Sequence, residues 1–235
     1  MAETPSALPM RKGYAVCRII AQALFTFLVR GRVFGTQHVP RAGGVLLVSN
    51  HQSFLDPVLA TLAIPRECNY MARDTLFRQP QFRRLIEYLN AFPVKRNTAD
   101  LGAIKETLRR LKAGKVVLTF PEGTRTVDGS IGPMHAGVVL LARKARVPIV
   151  PTLILGAFES WPRNAKLPHP RPVLVAYGPP LYTHEHPEWT DDDAVAHVRA
   201  AVLALQERYR RHPILHGLRR PRVSDLAGPA DPRRG

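Results

Sequence analysis

Cysteine is scarce in this sequence, and its scarcity excludes two kinds of protein. The two cysteines, Cys17 and Cys68, are too few for a disulfide-stapled scaffold or for a paired-thiol metal site. No zinc-like ligand spacing appears either, because His184 and His186 stand in a proline-containing polar segment where solvation is the simpler interpretation. We therefore expect a reducing compartment and neither a bound metal nor a cofactor.

Acidic and aromatic residues are also few. Eighteen Asp and Glu residues stand against 34 Lys and Arg residues, which gives a formal net charge of +16. Such a surface attracts polyanions, including nucleic acid and acidic phospholipid. Aromatic residues make up only 7% of the chain, too few to indicate a base-stacking platform, and no recognised nucleic-acid module accompanies the charge. Nucleic acid is therefore the disfavoured partner.

A long hydrophobic run is absent. The apolar stretch Ile19–Val29 is about half the length of the roughly 20 residues that a spanning helix needs, and it lacks a small-residue cleavage site. Arg18, Gln22, Thr26 and Arg30 recur at every fourth position, which places a narrow polar stripe on an otherwise apolar helix. This pattern predicts an amphipathic helix in a membrane interface, with packing on the protein's own core as the alternative.

Apolar segments of strand length alternate with longer helical patterns along the rest of the chain. This rhythm predicts an α/β fold, and 235 residues with 45% hydrophobic content can bury one sizeable core. We expect a leader and interfacial helix over 1–31, one domain over 32–212, and a basic, disordered tail over 213–235. Strands are predicted near 33–37, 45–49, 68–72, 92–94, 115–120, 148–154 and 173–177. Helices are predicted near 13–30, 57–63, 74–89, 99–113, 135–145 and 191–210.

A histidine and a carboxylate follow the second predicted strand. His51 and Asp56 lie five residues apart, about 140° around a helix, so they converge only across a turn. A carboxylate bonded to one imidazole nitrogen leaves the other nitrogen available as a general base. The alternative is that Asp56 merely caps a helix that begins at Pro57 and that His51 is an ordinary loop residue.

A second polar loop follows the strand near 115–120. Gly123, Thr124 and Arg125 there offer backbone N–H groups, a hydroxyl and a guanidinium, which together suit a phosphate group. An ordinary turn with a surface arginine is the alternative. In an α/β sheet both loops are expected at the strand ends that carry the active site.

Four blocks of sequence, in matching order, resemble the glycerolipid acyltransferases typified by 1-acyl-glycerol-3-phosphate acyltransferase. The similarity extends over roughly residues 35 to 180, most of the chain. Any one block is a weak signal, whereas four in order with compatible spacing are a strong one. The blocks are Asn50–Asp56, Ala91–Arg96, Phe120–Thr126 and Val147–Pro151.

The resemblance implies a glycerol-3-phosphate acyltransferase-like domain, with a mostly parallel mixed sheet flanked by helices, and assigns roles to its residues. His51 is similar to the family's general base, with Asp56 orienting it, and Arg96 and Arg125 to the ligands of the acceptor's phosphate. Glu122 either contacts substrate or braces its loop by pairing with a neighbouring arginine. The remaining substrate-binding residues implied are Asn50, Ser53, Gly123 and Thr124.

The implied reaction moves a fatty acyl group from acyl-coenzyme A or acyl-acyl carrier protein to the free hydroxyl of 1-acyl-glycerol-3-phosphate, without a covalent acyl-enzyme. A peripheral or monotopic enzyme on the cytoplasmic face of the cell membrane is expected. Two departures from the family pattern stand out: Pro133–Gly137 replaces a Phe-Lys-Lys-Gly-like run, and Thr126 stands where serine is usual. Another lysophospholipid or a lyso-aminolipid is therefore an alternative acceptor. A non-catalytic membrane- or nucleic-acid-binding protein is the remaining alternative.

Overall fold

A computed structural model describes residues 8–95, 100–165 and 167–216. Over this part of the chain, seven strands form one mixed sheet, which confirms the predicted α/β architecture and all seven predicted strands. The strands are β1 (Arg32–Phe34), β2 (Val45–Ser49), β3 (Cys68–Arg73), β4 (Ala91–Val94), β5 (Val116–Thr119), β6 (Ile149–Leu155) and β7 (Leu174–Tyr177). Their order in the sheet is β1-β7-β6-β2-β5-β3-β4.

Helices flank both faces of the sheet. Each predicted helix has a counterpart, and Ala157–Ser160 is a further short helix that was not predicted. The α-helices are α1 (Lys12–Leu28), α2 (Asp56–Leu59), α3 (Pro80–Tyr88), α4 (Leu101–Lys112), α5 (Gly137–Ala145), α6 (Ala157–Ser160) and α7 (Asp191–Tyr209).

The single helix predicted over 74–89 is wrong in one respect. The segment forms a 3-10 helix, Asp74–Phe77, and then α3, which starts at Pro80. Proline has no N–H to donate and its ring fits the first helical turn, so it begins a new helix instead of continuing the old one. The predicted ends of two other helices are confirmed: Gly114 follows α4 at a φ of 74°, and the Thr190 and Asp193 side chains form a capping box at the start of α7.

The core lies on both sides of β2, in which all five residues are buried. Alternate side chains of the strand point to opposite faces. Leu46 and Val48 belong to the layer that includes residues of α5 and α7, whereas Val45 and Leu47 belong to the layer beneath α1 and α2. A strand buried on both faces explains why the segment reads as an unbroken apolar run.

Sheet direction brings the two predicted loops together. The strand β2 pairs in parallel with β5 on one side and with β6 on the other. The carboxyl ends of these three strands therefore share one edge of the sheet. The loop that begins at Asn50 follows β2, and the loop that begins at Phe120 follows β5, so the two loops leave neighbouring strands.

Helix α1 packs with Arg18 and Gln22, the first half of its polar stripe, facing inward, whereas Thr26 and Arg30 are exposed. The Arg18 and Gln22 side chains donate to the Leu62 carbonyl at 3.4 and 2.7 Å, and the apolar side of the helix faces outward. Phe27 is 81% exposed. Further exposed apolar residues on this helix are Val16, Ile19, Ile20, Leu24 and Leu28.

The same helix runs diagonally across the sheet, from the end where the parallel strands begin to the end where they finish. Near its start, the Tyr14 hydroxyl accepts the N–H of Cys68, the first residue of β3. Just after its end, the Val29 carbonyl accepts the N–H of Val173, beside the start of β7. Because β7 starts opposite Leu155, the last residue of β6, α1 ends at the edge from which the two loops leave.

Within the described ranges, no helix combines the length and the apolar character required to cross a bilayer. The domain boundaries at 31/32 and 212/213 stay predictions. Residues 1–7 of the predicted leader and residues 217–235 of the predicted tail lie outside the described residues.

Candidate active site

His51 and Asp56 meet across the turn after β2. The Nδ1 atom of His51 lies 2.7 Å from Oδ2 of Asp56, and both side chains are buried. The same Oδ2 accepts the backbone N–H groups of Gln52 and Ser53 at 2.5 and 2.7 Å. Because an ionised carboxylate oxygen can only accept, its contact with Nδ1 assigns the ring proton to Nδ1 and leaves Nε2 as the basic nitrogen.

The alternative interpretation, in which Asp56 caps a helix that begins at Pro57, is wrong by one residue. Helix α2 begins at Asp56 itself, and Leu55 is the cap residue, without a side-chain capping bond. The Asp56 carboxylate points back toward residues 51–53 because the three donors there lie upstream of the helix. The structure therefore uses Asp56 to hold the His51 ring.

An aromatic residue of the second loop packs against the imidazole of His51. The rings of His51 and Phe120 stack with their centroids 4.1 Å apart and their planes at 17°. Phe120 is the first residue after β5, the parallel neighbour of β2. Sequence reasoning did not single out Phe120, although its position directly after a strand adjacent to β2 is a signal that could have found it.

Glu122 is bound to the backbone of the first loop. Its Oε1 accepts the N–H of His51 at 2.9 Å, and its Oε2 accepts the N–H of Gly132 at 2.9 Å. The N–H of Thr126 donates to the carbonyl of His51 at 2.8 Å, so the second loop engages both backbone groups of this residue. These contacts brace the loop through backbone amides, whereas the bracing alternative drawn from the sequence had an arginine as the partner.

The environment of Glu122 also changes its acidity. Burial raises the pKa of the Glu122 carboxyl, and the N–H groups of Gly132 and His51 offset part of that rise. A partly buried carboxylate without donors would be costly, so the two N–H groups supply the compensation that burial requires.

Arg125 lies over the first loop. Its guanidinium carbon is 3.4 Å from the centroid of the Phe54 ring, which belongs to the turn between His51 and Asp56. The structure thus brings one predicted phosphate ligand to the turn that carries His51. The other, Arg96, lies outside the described residues. Gly123 and Thr124 are exposed on the same loop, and Gly123 adopts a φ of 71°, a conformation that favours glycine.

Asn50 and Ser53 make internal contacts. The Asn50 side chain, fully buried, donates to the carbonyl of Ile154 at 2.9 Å and accepts its N–H at 2.8 Å. The Ser53 hydroxyl donates to the carbonyl of Trp161 at 2.9 Å. These bonds tie the end of β2 to β6 and to the segment after it. Substrate binding by Asn50 and Ser53 stays a prediction.

A cavity of about 460 Å³ lies at the opposite edge of the sheet, where Asn69, Asn90 and Lys115 line it. Arg66 also lines the cavity, and its guanidinium donates hydrogen bonds to the backbone carbonyls of Pro40, Gly43 and Gly114. This cavity is remote from His51 and takes no part in its site. Among the described residues, no cluster of three or more His, Cys, Asp or Glu side chains is arranged to hold a metal ion.

Comparison with known proteins shows sequence similarity over a much longer part of the chain than the site residues alone. A 1-acyl-sn-glycerol-3-phosphate acyltransferase of Cocos nucifera is 30% identical over 163 residues, which are 68% of this chain and 52% of the coconut protein. The enzyme of the same name from Bacillus subtilis (strain 168) is 27% identical over 144 residues, 61% of this chain and 71% of that protein. The chain thus spans about half the length of the coconut relative.

A solved structure shares the fold. The crystal structure of the 1-acyl-sn-glycerophosphate (LPA) acyltransferase PlsC from Thermotoga maritima has a TM-score of 0.74 and 25% sequence identity, and the match covers 84% of this chain and 80% of that one. The family model described as Acyltransferase matches residues 30–155, more than half of the chain, including both loops described above. On these grounds the protein belongs to the acyltransferase family.

Proposed function

We propose that this protein transfers a fatty acyl group from a thioester donor to the free hydroxyl of 1-acyl-glycerol-3-phosphate, forming phosphatidic acid. The observation that carries the proposal is the 2.7 Å contact between His51 Nδ1 and Asp56 Oδ2, which leaves Nε2 as a base. The names of the relatives from Cocos nucifera and Bacillus subtilis support this acceptor.

The proposed step needs only this one base. Nε2 of His51 takes the hydroxyl proton while the acceptor oxygen attacks the thioester carbonyl carbon. The tetrahedral intermediate then collapses, the carbon–sulfur bond breaks, and the leaving sulfur takes the proton from the imidazolium. Asp56 stabilises the imidazolium that exists between the two transfers. The products are an ester and a free thiol, and no acyl group is ever attached to the protein.

Arg125 is proposed to bind the acceptor's phosphate, because a guanidinium presents paired N–H groups that match phosphate oxygens. Arg96, Gly123 and Thr124 are proposed to complete that site. The donor is either acyl-coenzyme A or acyl-acyl carrier protein, both of which are anionic and complement a net charge of +16. The lysine missing from Pro133–Gly137 keeps other lysolipid acceptors as the second candidate.

The protein is also proposed to work as a peripheral or monotopic enzyme on the cytoplasmic face of the cell membrane. Its support is the orientation of α1, whose apolar side faces away from the domain while Arg18 and Gln22 bind inward. An amphipathic helix of this kind buries its outer side in the lipid interface, and anionic headgroups attract the basic surface.

Thiol release from a long-chain acyl-coenzyme A, measured with a panel of lyso-acceptors, tests the proposal. We expect release that depends on 1-acyl-glycerol-3-phosphate and that falls about a hundredfold to ten-thousandfold in His51→Ala. The exposed histidine variant His169→Ala is the matched control and should keep full activity. Retained turnover in His51→Ala would overturn the mechanism. Release with a different lysolipid would replace the acceptor, and no release with any acceptor or donor would favour a binding protein.

A further inference from the structure

Phe54 joins the two loops of the site through its ring. It lies in the turn between His51 and Asp56 and is 51% exposed, and one face of the ring carries the Arg125 guanidinium at 3.4 Å. The ring also packs against Trp161, with centroids 5.4 Å apart and planes at 50°. Phe54 therefore contacts both an arginine of one loop and an indole of another.

The indole that backs Phe54 is itself fixed. The Trp161 ring nitrogen donates to the carbonyl of Ala165 at 3.1 Å, and the Trp161 carbonyl accepts the Ser53 hydroxyl at 2.9 Å. Its backbone N–H donates to the carbonyl of Ala157 at 2.9 Å. Ser53 directly precedes Phe54, so the bond from the Ser53 hydroxyl to Trp161 restrains the Phe54 backbone. The indole of the same Trp161 packs against the Phe54 ring.

Stacking and phosphate binding use different parts of a guanidinium. A cation over an aromatic ring interacts through its flat face, whereas the hydrogen bonds to a phosphate lie in the plane of the N–H groups. The two interactions are therefore compatible. A flexible arginine loses rotamer freedom when it binds a ligand, and a ring that already fixes its plane reduces that loss.

We propose that Phe54 is a positioning residue: by holding the Arg125 guanidinium in one plane, it sets the affinity of the enzyme for its acceptor's phosphate. The inference rests on the proposed function and deepens it. Phe54 itself touches neither the proton nor the thioester, so its effect should appear in the binding of the acceptor and not in the chemical step.

The first test compares Phe54→Leu, which removes the aromatic face, with Phe54→Tyr, which keeps it. In thiol-release assays at saturating acyl donor, we expect the acceptor KM of Phe54→Leu to rise about threefold to tenfold, with kcat and donor KM within about twofold of wild type. Phe54→Tyr should restore the wild-type KM. Val58→Ala, which shortens a half-exposed apolar side chain on α2, is the matched control and should change neither constant.

A double-mutant cycle separates this role from a general structural one. In an Arg125→Gln background, Phe54→Leu should raise the acceptor KM no further, because the cation it positions is gone. A merely structural role would lower the active fraction, and so kcat, equally in both backgrounds. An unchanged acceptor KM in Phe54→Leu, a Phe54→Tyr variant as impaired as Phe54→Leu, or additive effects in the cycle would each overturn the inference.

Calorimetric titration with glycerol 3-phosphate tests the same contact without turnover. We expect the dissociation constant to rise about threefold to tenfold in Phe54→Leu and to stay at the wild-type value in Phe54→Tyr. A wild-type protein that binds glycerol 3-phosphate in this way but acylates no lysolipid would fail the proposed function while upholding the role of Phe54. Equal binding by wild type and Phe54→Leu would reject that role even in an active enzyme.

Discussion

The carboxylate of Glu122 accepts the backbone N–H of His51 at 2.9 Å, so the loop after β5 holds the backbone of the second residue after β2. The second carboxylate oxygen is bound to Gly132, farther along the same loop. Together with the bond from the Thr126 N–H to the His51 carbonyl, this contact fixes the backbone of the proposed base from both sides. The position of the imidazole therefore depends on a residue 71 positions away in the sequence.

Replacing Glu122 should misplace the base. In Glu122→Gln one oxygen becomes an NH₂ group that faces a backbone N–H, so one of the two bonds is lost and the donors repel each other. We expect kcat to fall about tenfold to a hundredfold, since small displacements of a reacting group carry costs of that order. Steady-state thiol release measures it. Glu185→Gln, the same change at an exposed position outside the two loops, is the control, and an unaltered kcat in Glu122→Gln would contradict the bracing role.

Stability should depend on pH through the same residue. Burial raises the pKa of Glu122 above its ordinary value of 4.5, so the folded protein binds this proton more tightly than the unfolded chain. Relative to Glu122→Gln, the wild-type free energy of unfolding should therefore increase as the pH is lowered from about 7 and level off below about 4.5. Denaturant titrations of both proteins at a series of pH values measure the difference. A difference that shrinks on acidification would show that the sign is wrong.

Asp56→Asn should show how much of the activity depends on the orientation of the His51 ring, because the ring itself is retained. The amide cannot accept from His51, Gln52 and Ser53 as the carboxylate does, and it favours the wrong imidazole tautomer. We expect kcat to fall by about a hundredfold or more and the free energy of unfolding to fall by about 1 to 3 kcal/mol. Assays and denaturation curves measure the two effects, with the exposed Asp192→Asn as control. Wild-type kcat in Asp56→Asn would leave the carboxylate without a role in catalysis.

Asn50 should contribute mainly to stability. Its removal in Asn50→Ala leaves both the N–H and the carbonyl of Ile154 without their partners in a fully buried place. The expected loss is about 2 to 4 kcal/mol of unfolding free energy, from two buried polar groups. Denaturation midpoints measure it, and the exposed Asn164→Ala is the control. A stable variant with a raised acceptor KM would instead support the substrate-binding role predicted from the sequence.

The outward side of α1 should determine membrane binding. Ile20→Gln combined with Phe27→Gln removes two large apolar groups from that side while leaving buried Tyr14 and Phe25 in place. We expect the partition coefficient onto anionic vesicles to fall about tenfold or more in sedimentation assays. The control pair Leu101→Gln and Leu167→Gln removes equally exposed apolar groups elsewhere. Equal sedimentation of the α1 variant and wild type would reject the interfacial helix.

Local sequence patterns were sufficient to predict most of the fold and the contact between His51 and Asp56. Strands buried on both faces give unbroken apolar runs, and polar residues directly after β2 and β5 mark the edge where loops collect. The four-residue helix α6 escaped because it is only about one turn long and shows no periodicity. Helix α1 was predicted, but periodicity identifies which side of a helix is apolar and does not tell which side packs inward.

The contacts that hold the site together were beyond the reach of local patterns. Asn50 binds Ile154 across 104 positions, and Arg125 meets Phe54 across two loops. Nothing in either segment alone encodes its partner, because these pairs exist only once β2 lies between β5 and β6. Local sequence patterns identified the chemical groups of the site, whereas the order of the strands in the sheet determines which of these groups are in contact.

The diagonal path of α1 has a consequence for how turnover should be measured. The helix ends at the sheet edge that carries the His51 turn, so a bilayer in contact with its outer side extends to that edge, and an amphiphile can reach the enzyme by lateral diffusion without leaving the leaflet. Rates should then follow the mole fraction of lysolipid in the vesicle. Diluting the lysolipid with inert phospholipid should slow the reaction even when its bulk concentration is constant.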